Sequence, residues 1–210
     1  VLIGADALGP EAVMAAVDKH LLGHVYAKSA LDIALWDITA KAAELPLYVL
    51  LGGRRQSDMP LYHSITCTAP DRMAQIARDA QSEGISQFQV KLGVDNDWQA
   101  DVARLTEVRR AVGDGPLVYG DWNCGASQLE ASRVGRAVSH LDIMLEQPCT
   151  TLAECAVVRT ASGLPMKIDE AAHDLPSLLE AHRRGVLDAV ALKLSKFGGL
   201  SKTRQARDLC

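Results

Sequence analysis

The 210-residue chain lacks the features that would place it in several broad classes. It has no basic excess: 22 Lys and Arg face 26 Asp and Glu, for a formal net charge of −4, and the cations are scattered. Nucleic-acid binding, which needs a clustered basic footprint, is not expected. It has no long apolar run. Stretches such as Val49 to Leu51 are far too short to cross a bilayer, so no membrane association is expected. No signal peptide is visible. The cysteines Cys67, Cys124, Cys149, Cys155 and Cys210 form no CxxC pair and are odd in number, so free thiols in a reducing cytoplasm are expected. His20 and His24 share a helical face but have no third partner to complete a zinc site.

What is present is ordinary globular composition, 48% hydrophobic and 23% charged, in a chain long enough to bury a substantial core. Residues 9 to 45 read as helical. Gly9-Pro10 opens a stretch in which Val13, Met14, Val17, Leu21 and Leu22 recur at helical spacing. After Gly23 a second helix presents Ala30, Ile33, Ala34, Ile38, Leu31 and Leu35 as a broad apolar face, and ends near Pro46.

From Pro60 onward, short apolar runs alternate with amphipathic stretches. The predicted strands lie at 61–66, 87–92, 117–122, 143–146, 166–169 and 189–194. Their helices lie at 70–83, 97–112, 127–140, 151–161, 174–184 and 200–210. Parallel strands require such crossover helices. Six units in succession point to a (β/α)₈-type TIM barrel, with two further units expected outside this sequence. A doubly wound sheet is the competitor, but no Gly-rich turn follows the first strand.

A barrel carries its chemistry at the C-terminal ends of its strands. In this chain the predicted strands two to six end in Lys91, Asp121, Glu146, Asp169 and Lys193. Any one of these charges alone reads as a solvated strand end, but five at matching points do not. Alternation places Ala189, Ala191 and Lys193 on one face of strand six. Three carboxylates on adjacent strands form a hard-oxygen donor set suited to Mg²⁺, for which Mn²⁺ could substitute. Lysines before and after that set would flank a bound substrate carboxylate. A lysine acts as base only when neutral, a state favoured by burial and by positive neighbours such as the metal and Lys196.

Taken together, Ala27-Lys28-Ser29-Ala30-Leu31-Asp32 through Trp36-Asp37, Leu51-Gly52-Gly53, Asp121-Trp122-Asn123, Glu146-Gln147-Pro148, Asp169-Glu170 and Lys193 followed by Gly198-Gly199 resemble the mandelate racemase/muconate lactonizing branch of the enolase superfamily. The resemblance implies that residues 1–55 are the C-terminal part of an α+β capping domain and that residues 56–210 are a catalytic barrel incomplete at its C-terminal end. It also implies that Asp121, Glu146 and Asp169 bind Mg²⁺, and that Lys91 and Lys193 are the acid/base pair that forms and reprotonates an enediolate. Asn123 and Glu170 would support them. Gln89 stands where many relatives carry the first lysine of a Lys-x-Lys pair. Spacing to Gly198-Gly199 favours Lys193 over Lys196.

Gly23-His24-Val25-Tyr26-Ala27-Lys28, Glu146-Gln147-Pro148-Cys149 and the single strand-two lysine look most like hydroxyproline betaine epimerases and cis-3-hydroxyproline dehydratases. The expected function is racemisation or epimerisation of an amino acid or proline betaine, with the small-molecule carboxylate as partner. Dehydration of a hydroxy amino acid is the alternative, followed by cycloisomerase or dipeptide epimerase activity. A non-catalytic barrel would predict a damaged constellation. Relatives often form symmetric assemblies, so a homo-oligomer is expected. Two further residues face the predicted interior. Lys167 is expected to pair with a neighbouring carboxylate, and His63, near the end of strand one, is a candidate substrate contact.

Overall fold

The computed structural model describes residues 2–210. In chain order, helices α1 (Pro10–His20), α2 (Val25–Ala42) and α3 (Leu47–Leu50) precede β1 (His63–Ile65), α4 (Pro70–Ser82), β2 (Gln87–Lys91), α5 (Trp98–Val112) and β3 (Leu117–Asp121). Then follow α6 (Gln128–Ala137), β4 (Met144–Glu146), α7 (Leu152–Ser162), β5 (Met166–Ile168), α8 (Leu175–Arg183), β6 (Ala189–Val190), α9 (Leu194–Phe197) and α10 (Leu200–Leu209). None of these helices is long and apolar enough to cross a membrane.

The chain forms two compact units. One gathers the N-terminal segment through Asp58 with residues 173–178 and 192–210, and the other holds residues 59–172 and 179–191. In the first unit Val13, Met14 and Val17 of α1 pack on Leu35 of α2. The expected apolar face of α2 is buried only in part: Leu35 is buried and Leu31 and Ile33 are half-buried. Ala30, Ala34 and Ile38 face solvent, whereas Lys28, Ser29, Asp32 and Trp36 are buried. The reason is polar satisfaction. Asp32 accepts from the backbone N–H and the hydroxyl of Ser201, and the Trp36 indole donates to that hydroxyl at 2.9 Å. Leu21 and Leu22 are likewise exposed, because α1 ends at His20.

The second unit carries a six-stranded sheet, parallel throughout and ordered β1-β2-β3-β4-β5-β6. A doubly wound sheet reverses its strand order at a switch point, and this one does not, so the fold is α/β of the TIM-barrel type. Phe88, Val90, Val118 and Leu145 are fully buried, each apolar side chain contributing about 1.5–3 kcal/mol. Gly120 lets α5 pack directly on β3, since a Cβ there would stand 2.8 Å from Leu92 Cδ1 and 3.0 Å from Leu105 Cδ2. Capping boxes at Ser127/Glu130 and Thr151/Glu154 start α6 and α7, fixing where the chain turns after β3 and β4.

All six strands are shorter than the sequence predicts, β1 and β6 most consequentially. β1 opens rather than ends near His63, and β6 stops at Val190. Only two residues of β6 find partners, because β5 itself ends at Ile168. Lys193 therefore does not end a strand but caps α9.

Candidate active site

Alternation on β2 turns Gln89 and Lys91 to the face opposite the buried Phe88 and Val90. The ladders then align one row across four strands: Lys91 opposite Asp121, Asp121 opposite Glu146, and Glu146 opposite Lys167. Two carboxylates are thus bracketed by two ammonium groups. Asp121 and Glu146 are each 1% exposed, so they need these partners to remain charged.

The contacts are short. Lys91 Nζ donates to Asp121 Oδ2 at 2.6 Å and to Asn123 Oδ1 at 2.7 Å. Gln89 Nε2 donates to Asp121 Oδ2 at 2.8 Å and to Glu146 Oε2 at 3.0 Å, spanning both acids. Lys167 Nζ lies 3.2 Å from Glu146 Oε1 and 4.2 Å from the centroid of the Tyr119 ring, so its expected pairing with a carboxylate is observed. Burial, reinforced by the charge of Asp121, pushes the Glu146 carboxyl above the usual range. Burial and the Glu146 charge raise the Tyr119 phenol as well.

Asp169 departs from the expected pattern. The β5 partner of Glu146 is Lys167, and Asp169 lies two residues further on, just past the strand. Barrel strands are staggered, so hydrogen-bond register and level along the strands are different coordinates. Asp169 is 2% exposed, and its N–H donates to Gln147 Oε1 at 2.9 Å. Gln147 is fully buried in the left-handed region (φ 32°); it also accepts from Ala171 N–H and donates to the Cys149 carbonyl. It ties the ends of β4 and β5 together, a role the sequence shows only as the middle of Glu146-Gln147-Pro148.

Asn123 connects the cluster to Glu170. Its N–H donates to Asp121 Oδ1 at 2.8 Å, and its Nδ2 donates to Glu170 Oε1 at 3.0 Å. The other Glu170 oxygen is buried without a hydrogen-bond partner among the described residues. The Cys124 thiol next to it is pushed up to about 11 by burial and then by the Glu170 charge. His63 is half-buried on β1. Lys193 and Lys196 belong to the first unit, where Lys193 is exposed and Lys196 buried. None of the five cysteines is in a disulfide.

The donor chemistry fits a hard divalent cation: two adjacent buried carboxylates, one of them held above its normal range by burial and then by its neighbour, with a third acid just beyond β5. Among the described residues no three His, Cys, Asp or Glu side chains are gathered as a ready cage. Lys91 and Gln89 both donate to Asp121 Oδ2, so a cation held by this carboxylate would have to contend with them.

Comparisons with known proteins converge on one group. The N-terminal domain of mandelate racemase / muconate lactonizing enzymes matches residues 1–52, and the enolase C-terminal domain-like family matches residues 72–210. The chain is 40% identical over 209 residues to the cis-3-hydroxy-L-proline dehydratase of Roseibium aggregatum, covering 100% of this chain and 56% of that protein. It is 31% identical over 206 residues to the N-succinyl-L-Arg/Lys racemase of Bacillus cereus, covering 95% and 54%. An enolase superfamily member from Roseovarius nubinhibens, solved with magnesium, superposes with a TM-score of 0.91 at 34% identity, covering 98% of this chain and 56% of that one. The dipeptide epimerase of Cytophaga hutchinsonii, solved with Mg and D-Ala-L-Val, gives 0.89 at 27%, covering 98% and 56%. The chain thus spans about half the length of the relatives it matches.

Proposed function

Because the chain belongs to the mandelate racemase/muconate lactonizing enzyme family of the enolase superfamily, we propose that the full-length protein is an enzyme that removes the proton α to a carboxylate of a small amino-acid substrate. The observation that carries this reading is the row of Lys91, Asp121 and Glu146, in which an amine stands directly against the buried acids. Residues 1–55 are assigned to the capping domain and residues 56–210 to the catalytic barrel.

Asp121, Glu146 and Asp169 would hold Mg²⁺, or Mn²⁺ in its place. When bound, the cation supplies Lewis-acid stabilisation of the charge that grows on the substrate carboxylate. Lys91 acts as the neutral amine, its ammonium proton having gone to solvent: Nζ takes the α-proton, and the electron pair of that C–H bond passes into the carboxylate to give an enediolate. Asn123 orients Lys91 through its side-chain oxygen, and Glu170 holds Asn123 in turn. Gln89 bridges Asp121 and Glu146 by donating to both. Lys193 is the second acid/base, a role carried by its spacing to Gly198-Gly199, with Lys196 as a nearby positive charge. His63 is assigned to the substrate-facing rim.

Two outcomes share this first step. In the first, the enediolate expels a β-hydroxyl, which leaves as water after taking a proton. The 40% identity to a cis-3-hydroxy-L-proline dehydratase across the whole chain supports this outcome. In the second, Lys193 returns a proton to the opposite face and inverts the centre, an outcome supported by the racemase and epimerase relatives. Incubating the full-length protein with Mg²⁺ in D₂O, against hydroxyprolines, proline betaines and N-acyl amino acids, separates them. Elimination gives a product lighter by water, whereas epimerisation gives one deuterium at Cα with no other mass change. Absence of both wash-in and water loss across the panel would contradict the proposal.

A further inference from the structure

Helix α5 carries a buried ion pair that is placed to do more than hold the helix. Asp101 is 3% exposed and Arg104 is 5% exposed, and they pair at 2.8 Å. Apolar residues Leu105, Val108 and Val112 already seat α5 against its surroundings. A buried Asp–Arg pair gains little over an apolar pair of similar volume, so its presence calls for a use in fixing geometry.

Its remaining hydrogen bonds all reach the loops that follow β1, β2 and β3. Asp101 accepts from the Gly93 N–H at 3.0 Å and from Trp122 Nε1 at 3.0 Å. Gly93 is two residues after Lys91, and Trp122 directly follows Asp121. Arg104 Nε donates to the Thr68 carbonyl beyond β1 at 2.9 Å, and its two terminal nitrogens reach Asp95 at 3.0 and 2.5 Å. The loop and the indole are also in direct contact: a Cβ on Gly93, where φ is +77°, would stand 2.8 Å from Trp122 Cδ1.

We propose that Asp101 and Arg104 are positioning residues, a buried clamp that fixes the ends of β1, β2 and β3 and thereby sets the Lys91–Asp121 geometry. The clamp itself is independent of any reaction; its effect on turnover rests on the function proposed above. One carboxylate holds the segment just after the amine and the segment just after the acid. A displacement of about 1 Å at reacting groups costs on the order of 10²-fold in rate.

The test uses the full-length protein with Asp101→Leu and Asp101→Asn. Asp101→Leu is expected to lower kcat about 100-fold at saturating Mg²⁺ and substrate, with KM changed less than threefold. Asp101→Asn keeps one acceptor oxygen and should recover at least tenfold of that loss. Two readouts need no turnover. The Trp122 indole N–H resonance should shift, and the Gly93 amide should exchange with solvent at least tenfold faster in Asp101→Leu.

If the parent protein shows no α-proton chemistry, the function fails, and these two signals still decide the clamp. Unchanged indole and amide signals in folded Asp101→Leu would overturn it, as would unchanged kcat where the parent is active. Should Asp101→Leu fail to fold, Trp122→Phe removes one donor and keeps an aromatic ring. It should lower kcat about tenfold and speed Gly93 exchange, and parental values of both would refute the clamp.

Discussion

Lys91 and Asp121 are register partners on neighbouring parallel strands, and the lysine ammonium lies 2.6 Å from the aspartate Oδ2. The amine assigned to take a proton is therefore held by the acid assigned to a cation. A cation held by Asp121 would contend with the Lys91 ammonium for this carboxylate, and its binding would loosen the amine. This competition gives the site its first measurable consequence.

Replacing Lys91 with Ala is expected to reduce α-proton exchange about 10³-fold, within the usual range for losing a general base. Mg²⁺ affinity should rise severalfold, because Asp121 loses a competing ammonium. Isothermal titration with Mg²⁺ and deuterium wash-in measure the two effects separately. Lys193→Ala should abolish turnover with Mg²⁺ affinity nearly unchanged, and activity retained in that variant but lost in Lys196→Ala would reassign the second acid/base.

Gln89 donates to both buried acids, so Gln89→Leu removes a neutral bridge between them. Loss of hydrogen bonds to charged groups should cost about 2–3 kcal/mol of stability without metal. Mg²⁺ should restore more stability to this variant than it adds to the parent. Urea denaturation with and without Mg²⁺ checks both statements.

Asp188 reports on the β5–β6 edge. The Arg159 guanidinium donates to it at 2.8 and 2.9 Å, and with the Met166 N–H it holds this carboxyl below the usual carboxylate range. Because the folded pKa is depressed, the unfolded chain binds more protons in the interval between the two values. The stabilisation is complete above the unfolded pKa of about 4 and is lost as pH falls through the lower folded value. Both groups are partly exposed, so the gain is about 1 kcal/mol or less. Asp188→Asn should flatten the acid limb of a stability–pH curve below pH 4 and lower the plateau above it.

Asp32 is fully buried and accepts from both the N–H and the hydroxyl of Ser201. Asp32→Ala leaves these donors without their acceptor and should cost about 2–3 kcal/mol. Ala34→Ser, on the exposed side of the same helix, should stay within about 0.5 kcal/mol. Thermal or urea unfolding of the two variants side by side is the measurement.

Several elements were legible before any coordinates. The helices expected at 70–83, 97–112 and 151–161 stand as α4, α5 and α7, and Gly113 and Gly163 close the last two. Lys91, Asp121 and Glu146 could be read as strand ends, because a charge that closes a short apolar run stands out. The same reading fails at Lys193, which lies beyond the end of β6. Whether a run such as Ala189 to Leu194 stays extended depends on how far its neighbour extends, and β5 ends at Ile168. The buried side of α2 is only partly legible for a related reason. Periodicity locates apolar stripes, but Asp32 and Trp36 are buried because Ser201, 169 and 165 residues away, satisfies them.

The sequence by itself determined the order of the elements, the parallel sheet that follows from crossover helices, and which side chains are available for chemistry. These are local properties, set by side-chain period and by turn residues. Only the tertiary structure decided that Lys167 rather than Asp169 stands opposite Glu146, that Gln89 bridges two acids, and that Asp101 reaches past its own helix to Gly93 and Trp122. Each of these depends on strand register or on contacts across loops, and no spacing along the chain encodes the distance between residues that meet only when strands pair and helices pack on them.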